Sequence, residues 1–436
     1  MKEVIRSSDP RIAALIDRQA TQNRDRDQLG LDRITALLEA VGRPQDRLPP
    51  VLHVAGTNGK GSTCAFLRAA LEAAGKRVHA FTSPHLVRYN ERIRIGGNLI
   101  EDGHLSELMS RVLDANDEIG ASLFEVNTAV AFLAFSESDA DACILEVGLG
   151  GRLDATNVIE RPLVCGIASL GLDHEAFLGS TLNEVASEKA GIAKRGVPLV
   201  TQLYPATIAE RIGEIAHDVG AVWEPRGLHW EAGVRQGKLR YRDRDGALDL
   251  PLPRLPGKHQ ALNGALAVAM LRNQSEIPIP ASAFGAAMGW AHWPARLQQL
   301  HGGPLFAMLP KGSELWVDGG HNPSAAQLVA DYAKRHWADR LPLVLLFASL
   351  QNKDAHGTLR PFKGIAQEVL TLPIDGHECR TPRELAHMAE SMGLPARPCA
   401  NLASAMTALA KPARVLVFGS LYLAGELLTL NGPLPD

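Results

Sequence analysis

The sequence predicts an α/β protein of two doubly wound domains, the first carrying a small antiparallel annex and the second smaller and Rossmann-like. Three observations lead there. Short apolar runs rich in Val and Ile alternate with stretches of helical period, the pattern of parallel sheets covered by helices. The alternation lapses once, over residues 222–256, and restarts after Trp293. A chain of 436 residues also exceeds what one ordinary core uses. The segment Trp293-Pro294-Ala295-Arg296 reads as the junction, which divides the chain into residues 1–293 and 294–436.

A helix over 31–41 places Leu31, Ile34, Leu37, Leu38 and Val41 on one face. A strand at 51–55 follows, then a glycine-rich loop and a helix over 62–74 closed by Gly75. Further strands are expected at 78–81, 142–147, 163–168 and 198–201, with a helix near 128–135. Between 222 and 256, alternating segments broken at Gln236-Gly237 and Asp245-Gly246, both hairpin pairs, predict the annex. Past the junction, strands at 315–317, 343–347, 369–372 and 415–418 build the second sheet. There is no repeat of fixed period and no low-complexity tract.

Composition excludes several classes of function. A net charge of −3 creates no general attraction to nucleic acid or to anionic membranes, so an anionic substrate needs a local site. The first ten residues are polar, and no run approaches the ~18 apolar residues that span a bilayer. The five cysteines (Cys64, Cys143, Cys165, Cys379 and Cys399) lie far apart without metal-ligand spacing. They read as reduced residues of a cytoplasmic protein.

The loop Gly56-Thr57-Asn58-Gly59-Lys60-Gly61-Ser62 stands between a strand and a helix. Glycines let backbone N–H groups turn toward phosphate oxygens, and the helix N-terminus adds its dipole. Lys60 would reach the β/γ-phosphates and the Ser62 hydroxyl could ligate Mg²⁺. The strict GxxxxGK[ST] pattern is not met: Val54 holds the first glycine position, and Gly61 follows the lysine. Glu146 ends an apolar strand just before the loop 148–151, where open α/β sheets place ligands, and a carboxylate there suits a hard cation. Thr181 with Glu184 forms a capping box that opens a helix bearing Lys189.

GTNGKGS resembles the phosphate loop of the folylpolyglutamate synthase / dihydrofolate synthase branch of the Mur ligase superfamily, and the resemblance continues along most of the chain. Ser83-Pro84-His85-Leu86 with Glu91-Arg92-Ile93 matches the branch's next block, and Phe124-Glu125 with Thr128-Ala129 the one after. The longest match runs from Leu145 through Glu146, Gly150, Gly151 and Asp154 to Asn157. Gly171-Leu172-Asp173-His174, Lys189-Ala190-Gly191-Ile192, Gly257-Lys258-His259-Gln260 with Asn263, and His321-Asn322-Pro323 follow in the family's order. Two positions depart: Ala295 stands where the family usually has Gly, and Gly320 where Ala is usual. Ala295 matters because alanine tolerates positive φ poorly.

The resemblance implies an N-terminal P-loop ATPase-like domain of the central Mur-ligase type and an active site in the cleft between the domains. It implies an ATP-dependent, ADP-forming ligase that adds L-glutamate to dihydropteroate, a reduced folate, or both, through an acyl phosphate. Lys60, His174 and Lys189 would be catalytic. Ser62, Ser83, Glu146, His174 and Lys189 would hold two Mg²⁺ ions, with Lys189 N-carboxylated. Residues Gly56 to Ser62, Asn263, Arg296, Asp318 and His321 would contact ATP. Ser122, Leu123, Phe124, Leu153, Asp154 and Ala155 would line a pterin-type ring. The partners expected are small molecules alone, with no nucleic acid or membrane, acting on a monomer. Arg296, entering from across the junction, would make activity depend on domain closure.

A UDP-muramoyl amino-acid ligase would need a further domain before the phosphate loop, and only about fifty residues precede Gly56. A P-loop switch protein would share Lys60 but has no use for Glu146, His174 and Lys189 together. Amino-acid-dependent ADP release separates it from a ligase.

Overall fold

The structure, a computed structural model, describes residues 7, 9–22, 29–338 and 341–435, so the polar N-terminal stretch lies largely outside the described residues. Two compact units emerge: the larger comprises Ile5–Arg254 with Lys258–His292, the smaller Leu255–Gly257 with Trp293–Asp436.

Eight strands form the sheet of the larger unit: β1 (Val51–Ala55), β2 (Val78–Phe81), β3 (Ile93–Ile95), β4 (Asn98–Leu99), β5 (Ala142–Glu146), β6 (Val164–Ile167), β7 (Pro198–Thr201) and β8 (Val222–Pro225). Their order is β4-β3-β2-β5-β1-β6-β7-β8. The six strands from β2 to β8 in that order run parallel, and β3 and β4 extend the edge antiparallel. β1, β2 and β5 are buried at every position, as expected of parallel strands covered on both faces. One core joins Val51, Phe81, Cys143 and Leu145 of the sheet to Ile34, Leu37, Leu113, Phe132 and Phe135 of the helices. Another joins Ala55, Cys165 and Ile167 to Ala186, Ala190, Ile208 and Ile212. The phosphate-loop helix, Lys60–Ala73, packs against helices Lys258–Arg272 and Ala281–Trp290.

The annex is a three-stranded antiparallel meander, β9 (Trp230–Arg235), β10 (Lys238–Asp243) and β11 (Gly246–Pro251). Gln236 and Gly237 both take positive φ between β9 and β10, the conformation a two-residue hairpin needs. The annex begins later than expected from the sequence. Residues 222–225 pair with β7 in the main sheet instead, because helix Ala206–Val219 supplies the crossover of a β-α-β unit.

The smaller unit holds β12 (Gln298–Leu300), β13 (Glu314–Val317), β14 (Leu343–Phe347), β15 (Ala366–Thr371), β16 (Ala396–Pro398) and β17 (Arg414–Phe418), ordered β12-β13-β17-β14-β15-β16. β13 to β17 are parallel to their neighbours and β12 is an antiparallel edge. Leu345, Phe347, Leu416 and Phe418 meet Leu359, Phe362 and Leu385 in its core. The edges β12 and β16 escape the sequence pattern because three residues carry too little periodicity to register.

Candidate active site

Sheet order explains why residues far apart in sequence gather in the larger unit. β2, β5, β1 and β6 are neighbours and parallel, so the loops at their carboxyl ends share one edge. Those loops carry Ser83, Glu146, the phosphate loop and His174. Glu146 pairs in register with Val54, two residues before Gly56. Its side chain is buried, and its Oε2 accepts the Ser83 N–H at 3.3 Å.

The phosphate loop bonds along its length to the segment after β6. Thr57 and Asn58 N–H groups donate to Ser169 O at 2.8 and 3.2 Å. The Thr57 hydroxyl donates to Gly171 O at 2.9 Å and accepts Gly171 N–H at 3.1 Å. His174, three residues further on, is held in the left-handed region at φ 53, and its N–H donates to Asp173 Oδ1 at 2.8 Å. Gly59 opens helix Lys60–Ala73 at φ 88, and a Cβ there would lie 2.5 Å from Asn263 Oδ1. Asn263 therefore packs directly on the loop, while its Nδ2 donates to Gln260 Oε1 at 3.1 Å. Lys60 Nζ donates to Gly56 O at 3.1 Å, which folds it over the loop, and Ser62 is buried in the first turn.

Lys189 sits near the end of helix Leu182–Ala190, whose capping box at Thr181 and Glu184 is formed as expected. Only 4 % of the residue is exposed. Burial, reinforced by the charge of Lys60, pulls its ammonium down to about 7, against opposing contributions from Asp154, Asp173 and Glu188. This lysine is therefore poised to be a neutral amine. Asp173 escaped the sequence reading because an acid before a histidine carries no signal of its own.

Phe124, in the first turn of helix Leu123–Ser136, lies against the Gly148 backbone. A Cβ on Gly148 would approach the Phe124 Cζ to 2.4 Å. Ser122 is the N-cap of that helix, accepting Glu125 N–H at 3.3 Å, and Glu125 returns the bond to Ser122 N–H. Gln19 Nε2 donates to Leu123 O at 3.1 Å, and Arg33 pairs with Glu125 at 3.2 Å. Neither support was foreseen, since polar positions on amphipathic helices read as solvent-facing. Leu153 is half-buried, and Asp154 and Ala155 are buried across the 3-10 turn that Asp154 caps. On the expectation from the resemblance that Phe124 lines a pterin-type ring, Gly148→Ala should push the Phe124 ring aside and raise the acceptor KM about tenfold, with the ATP KM unchanged. Steady-state kinetics with each substrate varied checks this.

Arg296, Asp318 and His321 come together in the smaller unit. Asp318 Oδ2 accepts Leu297 N–H at 2.8 Å and Oδ1 accepts Gly320 N–H at 2.7 Å. Burial raises this carboxyl while Arg296 opposes the rise. The His321 ring meets Gly319 O at 3.1 Å. Ala295 does take positive φ, at 54°, and Leu297 follows at 44°. Each costs about 1–2 kcal/mol. Hydrogen bonds from Gly319 N–H and Arg296 Nη1 to Ala295 O, at 2.9 and 2.8 Å, hold the strained turn that presents Arg296. Gly320 has close neighbours: a Cβ would meet Phe418 Cε2 at 2.7 Å.

Among the described residues no three His, Cys, Asp or Glu side chains cluster as a metal cage. The donors on the sheet edge are instead one buried carboxylate, Glu146, the hydroxyls of Ser62 and Ser83, and the His174 ring. Such a sparse oxygen-rich set fits Mg²⁺, which keeps waters and takes phosphate oxygens rather than filling a protein cage.

No family model matches the chain. The dihydrofolate synthase/folylpolyglutamate synthase of Escherichia coli is 33% identical over 360 residues, covering 82% of this chain and 80% of that one. Among solved structures, E. coli FolC in complex with DHPP and ADP aligns at TM-score 0.86 and 30% identity, over 97% of each chain. A bifunctional folylpolyglutamate synthase/dihydrofolate synthase from Yersinia pestis, complexed with AMPPNP and Mn ion, aligns at TM-score 0.84 and 29% identity over 98% of this chain and 99% of that one.

Proposed function

The chain belongs to the dihydrofolate synthase/folylpolyglutamate synthase family, and from that premise we propose that it joins L-glutamate to both dihydropteroate and reduced folates by way of an acyl phosphate. It is an ATP-dependent acid–amino-acid ligase of folate metabolism that uses a divalent metal. The observation that carries the finer reading is the meeting of the phosphate loop, Glu146, Ser83 and His174 on one sheet edge, with the depressed amine of Lys189 within reach of the Lys60 charge.

The acceptor carboxylate attacks the γ-phosphorus and ADP leaves. The glutamate amine then attacks the acyl carbon, phosphate departs and the nitrogen loses a proton. Both steps concentrate negative charge on phosphoryl oxygens, which the Lys60 side chain and the first-turn N–H groups of Lys60, Gly61 and Ser62 would stabilise. Glu146, Ser62, Ser83 and His174 would hold Mg²⁺, which when bound supplies further charge neutralisation. Lys189, as a neutral amine, can add to CO₂ and lose a proton to give a carbamate, supplying a further carboxylate on that edge. Phe124 with Leu153, Asp154 and Ala155 would face the pterin ring, and Asn263, Arg296, Asp318 and His321 the nucleotide. We place this activity on a monomer in the cytoplasm, acting on small molecules and not on nucleic acid or membrane. No helix of the described residues is long and apolar enough to cross a membrane.

The test is product formation from ATP and L-glutamate with dihydropteroate and with a reduced folate offered separately. Turnover with only one of them removes the bifunctional reading, and turnover with neither removes the ligase's acceptor class. For the metal, Glu146→Gln and His174→Ala are each expected to raise the Mg²⁺ concentration for half-maximal rate about tenfold or more. A titration that overlays the parent's takes that residue out of the ligand set.

A further inference from the structure

The strand that feeds the phosphate loop carries a buried histidine with no part in the chemistry above. His53, in the middle of β1, is fully buried, and its Nε2 lies 2.8 Å from Thr156 Oγ1. Thr156 Oγ1 in turn lies 2.5 Å from Asp154 Oδ1, which also accepts the Thr156 N–H at 3.0 Å. The second oxygen, Oδ2, accepts the Leu149 N–H at 2.8 Å. A hydroxyl has one proton to give. Donated to the carboxylate, it makes the stronger, charge-assisted bond, and the Thr156 oxygen is left to accept from His53. The imidazole proton is then on Nε2. The other ring nitrogen, Nδ1, has no partner, and a bare acceptor there is cheaper than the orphaned N–H of the opposite tautomer. Burial holds the ring neutral, its pKa pulled down to about 3.

We infer that His53 and Thr156 are positioning residues for the acceptor: their two hydrogen bonds fix the Asp154 carboxylate, and with it the segment 153–155 proposed to face the pterin ring. Both are fully buried, so neither reaches a substrate itself. Without the Thr156 hydroxyl, Asp154 keeps the backbone donors Thr156 N–H and Leu149 N–H and loses the shortest of its three bonds, which ties it to His53 on β1. The inference rests on the proposed acceptor site, so its test includes a measurement made without substrate.

Thr156→Val removes the hydroxyl at nearly constant volume, Thr156→Ser retains it, and His53→Gln retains a donor on the strand. The full chain is assayed for kcat and KM with dihydropteroate and with ATP, and amide exchange of Leu149 is followed in the substrate-free protein. Thr156→Val is expected to raise the dihydropteroate KM about tenfold or more while kcat and the ATP KM stay within about twofold. Its Leu149 amide should lose protection. Thr156→Ser should restore both, and His53→Gln should fall between. Equal acceptor KM and equal Leu149 protection in the valine and serine variants would overturn the inference. A joint loss of both KM values in step with thermal stability would also overturn it, as the mark of a merely structural role. If the parent uses neither dihydropteroate nor folate, the functional reading falls on its own, and Leu149 exchange alone decides whether the tether exists.

Discussion

Lys189→Ala is expected to lower ligase turnover by roughly a thousandfold, and added formate or acetate is expected to restore part of it. The expectation follows from burial. An ammonium 4 % exposed beside the Lys60 charge is disfavoured, and its pKa falls to about 7. A neutral amine can add to CO₂, whereas an ordinary surface lysine remains protonated. The alanine variant leaves room for a small carboxylate where the carbamate would lie. Full activity in this variant, or no response to either anion, would remove the carbamate from the mechanism.

The same shift predicts the pH dependence of stability for the uncarboxylated protein. Between pH 7 and the unfolded lysine value near 10.5, the unfolded chain binds a proton at this position that the folded chain does not. Stability therefore rises with pH across that window, and the cost of the buried charge is fully present below pH 7. Lys189→Met should accordingly be more stable than the parent at pH 6 in CO₂-free buffer, the difference narrowing as pH approaches 10. Thermal unfolding across that range checks the sign. A parent more stable than the variant at pH 6 would mean that Asp154, Asp173 and Glu188 outweigh desolvation.

Lys60→Ala is the other change of large expected effect. Turnover should fall by roughly two to three orders of magnitude, from loss of one fixed charge on the transferring phosphoryl group. The fold should stay within about 0.5 kcal/mol, because Lys60 is half-buried at the first position of its helix and its Nζ bonds a backbone carbonyl, Gly56 O, rather than packing in a core. Removing Lys60 also removes the second contribution that depresses Lys189. The variant should therefore need more bicarbonate for what rate remains. Unchanged ATP-dependent glutamate addition would sink the nucleotide assignment.

Much of this was legible in the sequence because it is local. Val51–Ala55 alternates into glycine and then into a helical pattern within a few residues, so strand, phosphate loop and helix follow from neighbouring side chains alone. The capping box at Thr181 is equally short-range, since the cap and its glutamate are three residues apart. Where periodicity was too short, as in β12 and β16, or composition misleading, as at 222–225, the reading missed or misassigned the strand.

By itself the sequence determined the α/β class, the strand, glycine loop and helix around Gly56–Ser62, and residue types suited to anions and cations. Those properties depend on residue type and on spacings of a few positions. Only the tertiary structure decided which of these residues meet. Parallel pairing of β2, β5, β1 and β6 brings Ser83, Glu146 and His174 to the phosphate loop across separations of up to about 115 residues, and no local signal encodes strand order. It also decided electrostatics. Lys189 is an ordinary helical lysine until packing removes water from it, because desolvation belongs to the assembled surroundings of a group and not to its place in the chain.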